Sequence, residues 1–113
     1  MLKIILIFTF LFIFIGCHNN IVESYDFERD TPEWLKVKID SISTKTYYFG
    51  TVVNRYKWNN NYLFEFTIPL SSCVLCELYY YDGTKNKFTD DKTVLSYINT
   101  RTDKVFVWKY PDK

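Results

Sequence analysis

Apolar residues recur along this chain in three rhythms. Residues 4–15, IILIFTFLFIFI, are apolar without a break except at Thr9. Over 31–43 the spacing turns helical: Leu35, Ile39 and Ile42 recur at i, i+4 and i+7. Trp34 joins them on one side, while Lys36, Lys38 and Asp40 point largely elsewhere. Thr31-Pro32-Glu33 reads as the helix start, with Thr31 capping, Pro32 at the first helical position and Glu33 in the first turn.

Beyond residue 46 the rhythm shortens toward two. Residues 47–58, YYFGTVVNRYKW, are aromatic and β-branched, with Gly50 a bulge or strand start. Asn59-Asn60-Asn61 forms a turn in which asparagine tolerates left-handed φ. The segment 62–68 then alternates, with Tyr62, Phe64, Phe66 and Ile68 on one face and Leu63, Glu65 and Thr67 on the other. This is an antiparallel hairpin. Pro69-Leu70-Ser71-Ser72 interrupts the ladder, and a third strand is expected over 74–81, ending at Asp82-Gly83. A polar connector over 83–93 leads to a short helix near 91–98, capped by Asp90 or Asp91 and carrying Val94, Leu95, Tyr97 and Ile98. Residues 105–109 supply a last strand before Pro111. The expected fold is α+β: one N-terminal amphipathic helix packed on a mostly antiparallel sheet of about four strands, with the short second helix near 91–98.

The first rhythm has another meaning. Twelve apolar residues fall short of the ~20 that a helix needs to cross a bilayer, and no second such run follows. With Lys3 in front and Gly16-Cys17 behind, residues 1–16 read as a signal peptide. Residues 17–30 are mostly polar, with isolated Ile21, Val22, Tyr25 and Phe27, and read as a tether of which a part packs as an edge strand. Residues 31–113 read as one globular domain.

Charge and composition narrow the classes further. The chain has 113 residues, 14 basic and 13 acidic, which excludes a multidomain enzyme, a polybasic nucleic-acid binder and an acidic disordered tail. Cleavage before Cys17 leaves 97 residues with 13 charges of each sign, so no net field steers the domain toward nucleic acid or anionic lipid. Those 97 residues hold 19 aromatics, and the chain has no Ala or Gln, a composition that favours sheet over helix.

The stretch Phe14-Ile15-Gly16-Cys17 resembles the lipobox of bacterial lipoproteins, departing from it at Phe14, where an aliphatic residue is usual. The resemblance implies that Cys17 is acylated and becomes the mature N-terminus. Each buried methylene contributes about 0.8 kcal/mol, so two or three acyl chains such as palmitate hold a protein essentially permanently. The implied place is the bacterial cell envelope, tethered to the outer membrane and facing the periplasm, since His18-Asn19-Asn20 carries no acidic cluster.

Several residues together look like a family of small, functionally uncharacterised lipoproteins of Bacteroidota. They are Trp34, Leu35, Lys38 and Ile39 in the helix; Tyr62, Phe64, Pro69 and Cys73; Tyr81, Asp82 and Gly83; and Val107 with Trp108. The chain departs from that pattern at Cys73-Val74-Leu75, where adjacent cysteines followed by Asp are common, and in the Lys-rich connector that replaces a Gly-rich loop. No disulfide, loop ligand or activity is therefore carried over from the family.

The reactive side chains are few. His18 is the only histidine and sits beside Cys17, which leaves a Ser-His-Asp, a Cys-His or a multi-histidine zinc site without supply. Cys73-Val74-Leu75-Cys76 is the one motif with redox meaning, but Glu77-Leu78-Tyr79-Tyr80-Tyr81 continues as strand rather than helix. If extended, the two cysteines would stand about 10 Å apart at Cα, beyond the disulfide reach of about 7 Å, so a disulfide requires a turn there. A local disulfide, two buried thiols and a redox or metal role all remain open for Cys73 and Cys76. No carboxylate pair implies acid/base work, and no phosphate-cradling loop is present.

Tyr79, Tyr80 and Tyr81 with Trp58 are the candidate aromatic binding surface for a glycan or an envelope protein, set against ordinary core packing. Because neighbours on a strand face opposite ways, the three tyrosines cannot all share one face. The reading is a non-catalytic binding or structural module of the envelope, without cofactor, metal or nucleic acid, anchored to the membrane through an N-terminal lipid. Its rivals are a thiol-disulfide protein using Cys73 and Cys76, and a small inhibitor or immunity protein.

Overall fold

A computed structural model describes residues 24–111. Residues 1–16, read as a signal peptide, lie outside the described residues, as do Cys17 and His18. The order of elements is α1 (Phe27–Asp30), α2 (Glu33–Ile42), a 3-10 turn (Thr46–Tyr48), β1 (Val52–Trp58), β2 (Asn61–Thr67), β3 (Leu78–Tyr80), α3 (Asp91–Thr100) and β4 (Thr102–Lys109). Among the described residues the fold is α+β, with three helices and an open four-stranded sheet of order β3-β2-β1-β4 in which every pairing is antiparallel.

Helix α2 buries Leu35, Ile39 and Ile42, the residues spaced at helical intervals, and seats them on one face of the sheet against Val53, Phe64, Phe66, Val107 and Trp108. Its first turn differs from the expectation. Pro32 occupies the cap position without a side-chain hydrogen bond, and the Thr31 hydroxyl instead pairs with the Tyr25 hydroxyl at 2.6 Å. Thr31 is buried, so its hydroxyl is satisfied by a phenol inside the fold rather than by a helix amide.

That contact also ties residues 25–31 to the folded body. Phe27–Asp30 form a single helical turn rather than an edge strand. Asp26 accepts from the Arg29 amide at 2.9 Å to cap α1, and Tyr25 and Phe27 pack against the α2-side core. Tyr25 and Phe27, two of the isolated apolar residues of the polar lead, supply that packing.

The β1–β2 hairpin closes through Asn59 and Asn60, with φ of 49° and 62°, and pairs Trp58 with Asn61. Both central residues of a two-residue loop must adopt positive φ for the strands to twist correctly, and asparagine tolerates this. Strand β4 returns along the far side of β1. It carries an extra residue at two places, between the partners of Val53 and Asn54 and between those of Arg55 and Lys57, and Asp103 there has φ of 55°. These bulges bend the edge of the sheet and blunt it against further pairing.

The second face of the sheet is covered too, which a single helix on a sheet does not provide. Four consecutive residues of β2, Leu63 to Phe66, are buried. Leu63 joins Trp58, Leu78 and Tyr97 of α3 in a second apolar cluster, with Leu75, Tyr80 and Phe88 packed around it. Asp90 caps α3, its Oδ1 accepting from the Thr93 amide and hydroxyl at 2.7 Å each. Of the apolar residues in α3 only Tyr97 is buried.

The third strand is shorter than the expected 74–81. Residues 73–76 curl into a turn with Leu75 at φ 77°, so pairing begins at Leu78. Its outer edge is met by residues 84–86: the Tyr80 amide donates to the Thr84 carbonyl at 2.8 Å and the Asn86 amide to the Leu78 carbonyl at 2.8 Å. Gly83 makes this tight return at φ 94°, with the Trp34 ring 3.4 Å from where a Cβ would stand.

Candidate functional site

The four residues of the candidate aromatic surface do not come together. Trp58 is buried in the second-face cluster and donates its indole N–H to Thr100 Oγ1 at 3.1 Å. Tyr80 lies on that same face, half-buried, its hydroxyl donating to Asn86 Oδ1 at 3.3 Å. Tyr79 points to the α2 side, tilted against Trp34 at 5.6 Å between centroids and edge-on to Phe66 at 5.9 Å. Only Tyr81 is exposed. With both faces of the sheet covered, most of these rings serve the two cores, and the pleat separates Tyr80 from its neighbours.

Around Tyr79 an ionic cluster ties β3 to α2. The Tyr79 hydroxyl donates to Glu77 and accepts from Lys38 Nζ at 3.1 Å, while Lys38 and Lys85 stand 3.6 and 3.8 Å from the Glu77 carboxylate. Burial pushes the Tyr79 phenol up to about 12, and the hydrogen bond to Glu77 adds to the rise. A phenol held protonated this firmly is a fixed donor rather than a proton shuttle.

Two further arrangements were not read from the sequence. The Arg55 guanidinium lies 4.2 Å from the Tyr62 ring centroid and 5.0 Å from that of Tyr25, stacked between two aromatic faces. On the opposite face, Arg101 Nη1 donates to both oxygens of Glu65 at 3.0 Å, with its guanidinium carbon 4.1 Å from the Tyr56 centroid and 4.9 Å from that of Tyr97. Neither array includes a nucleophile beside a base.

An apolar groove of about 530 Å3 is set between the 73–76 turn, the 85–88 segment and α3. Cys73 and Cys76 are joined there as a disulfide, with their Cα atoms 5.6 Å apart. Leu75 at positive φ produces the turn that brings them within reach. The disulfide precedes a strand, not a helix whose N-terminus would favour a thiolate. The groove's apolar lining comes from Val74, Leu75, Phe88, Val94 and Ile98; Val74 is 78% exposed and Ile98 44%. No carboxylate or imidazole lines it.

The sequence held one signal for this groove. Val94, Tyr97 and Ile98 share one side of α3, and only Tyr97 finds a place under the helix, which leaves the flanking pair to form a wall. The other wall depends on the turn at 73–76, where the strand pattern misled.

Among the described residues no group of three or more His, Cys, Asp and Glu is placed to hold a metal ion, and no helix is long and apolar enough to cross a membrane. Compared with protein-family models, curated proteins and solved structures, the chain matches none.

Proposed function

We propose that this chain is a lipid-anchored protein of the bacterial cell envelope whose folded domain is a non-catalytic binding module. The groove beside the Cys73–Cys76 disulfide carries the binding part of this reading: it is open and mostly apolar, with Val74, Leu75, Phe88, Val94 and Ile98 offering contact area beside Lys85 and Lys87. The anchor part rests on the apolar run ending at Gly16-Cys17, with Cys17 as the acylated residue and the outer membrane, on its periplasmic side, as the place. The resemblance to small Bacteroidota lipoproteins agrees with that address.

The anchor is tested by metabolic labelling with radioactive palmitate in cells producing the wild type or Cys17→Ala. Label and membrane retention in the wild type, both lost in Cys17→Ala, are the expected result. An unlabelled wild type, or a purified product whose mass includes the whole leader, would overturn the reading.

A further inference from the structure

We infer that the groove receives an extended peptide segment of a partner protein, one in which apolar and acidic residues alternate, added as a strand along residues 85–87. This deepens the binding-module reading and rests on it. The two ends of the sheet differ in what they offer. At one end β4 is bent by two bulges; at the other, residues 84–86 pair with β3 and present a new edge. The amide of Asn86 points inward to Leu78, so the alternation of an antiparallel ladder turns the N–H and C=O groups of Lys85 and Lys87 outward. That outward edge lines the groove. Main-chain bonding to such an edge with side-chain pockets beside it is how strand addition recognises peptides.

The pleat then dictates what the peptide carries. On the α3 side, Asn86 meets Tyr80, and Phe88 packs against Trp58 and Tyr97, so every second residue of an added strand drops between Val74, Leu75 and Ile98. On the α2 side, Lys85 stands over the Tyr79 ring at 6.0 Å, and alternation places the exposed Lys87 beside it. Residues of the added strand facing that side meet the exposed Lys87 and Lys85, the latter shared with the Glu77 carboxylate at 3.8 Å, and are best acidic opposite Lys87. The same lysines disfavour a second copy as the occupant, since pairing two such edges antiparallel sets Lys85 and Lys87 against themselves.

The test uses the full chain in phosphatidylcholine nanodiscs and a short fluorescein-labelled peptide in which glutamate alternates with valine, read by anisotropy. The alternating peptide should bind at least about tenfold more tightly than one of the same composition with its glutamates clustered. Lys87→Pro, which removes an outward donor but leaves the Asn86 amide in place, and Val74→Asp, at an exposed position, should each weaken binding about tenfold with an unchanged circular dichroism spectrum. Lys87→Glu should reject the acidic peptide and accept one in which lysine replaces glutamate; this variant and Val74→Asp decide the matter if Lys87→Pro does not fold. Equal binding of the clustered peptide would overturn the inference. So would affinity indifferent to Lys87→Glu and Val74→Asp, a fluorescent fatty acid held in the groove in place of any peptide, or a dimer that Lys87→Glu dissociates. Peptide binding by a chain that takes up no palmitate would sink the anchor and spare the groove, and palmitate labelling without peptide binding would do the reverse.

Discussion

Arg101 and Glu65, far apart in sequence, meet as a part-buried ion pair in which one guanidinium nitrogen donates to both carboxylate oxygens at 3.0 Å. Glu65 is 7% exposed, and the Tyr56 and Tyr97 rings flank the guanidinium. Removing the cation strands a charge where water cannot reach it. We expect Arg101→Ala to cost about 3 kcal/mol or more in urea denaturation, and the double change Glu65→Leu with Arg101→Met to recover most of that loss. A single variant as stable as the wild type would show that the carboxylate is solvated.

Tyr97 lies beside that pair, fully buried, its hydroxyl interacting with the Arg101 guanidinium. Burial pushes its phenol up to about 12, whereas an unfolded tyrosine ionises near 10. Between those values the unfolded chain has released this proton and the folded chain still holds it, so stability falls as pH rises. One such proton sets a slope of up to about 1.4 kcal/mol per pH unit. Tyr97→Phe should be within about 1 kcal/mol of the wild type at neutral pH and show a shallower alkaline decline, with Tyr79 keeping part of the slope. Urea midpoints measured across pH 9 to 12 check this, and an unaltered slope would mean that Tyr97 ionises normally.

The hairpin turn offers a stabilising change. Asn60 holds φ of 62° at the second position of a two-residue loop, where glycine has no Cβ to strain. Asn60→Gly should raise the stability by up to about 1 kcal/mol, and Asn60→Val should lower it by at least as much. Thermal melts of the two variants should move in opposite directions.

The Cys73–Cys76 link closes a very short loop, so its effect on the unfolded chain is small. Reduction, or the paired change to serine, should cost no more than about 2 kcal/mol and leave the β2–β3 pairing intact by amide exchange. Its larger effect should be on peptide affinity, because the linked turn forms one wall of the groove. Loss of β3 protection on reduction would show instead that the link holds the strand in place.

What the chain disclosed in advance follows the range of the interactions involved. The stripe Leu35, Ile39 and Ile42, the Asp90 cap and the asparagine turn rest on neighbours within a few residues, and spacing reveals them. The covering of the second face was hidden because Glu65 looks like a solvent residue until Arg101 is brought to it. The curl at 73–76 was hidden for a related reason. Val74 to Tyr81 has the composition of a strand, and only a disulfide and a left-handed Leu75 break it. Trp58 and Tyr80 fill the second cluster, the ordinary core packing that was set against a binding surface, and only the partner helix α3 reveals which rings it takes.

The Tyr25 and Thr31 hydroxyls pin the turn at Phe27–Asp30 to the folded body. If Cys17 carries the proposed lipid, Tyr25 follows it by eight steps of chain, at most about 29 Å fully stretched. A protein so moored would sweep only a thin shell of space above the bilayer, and whatever it grips would have to come down to meet it.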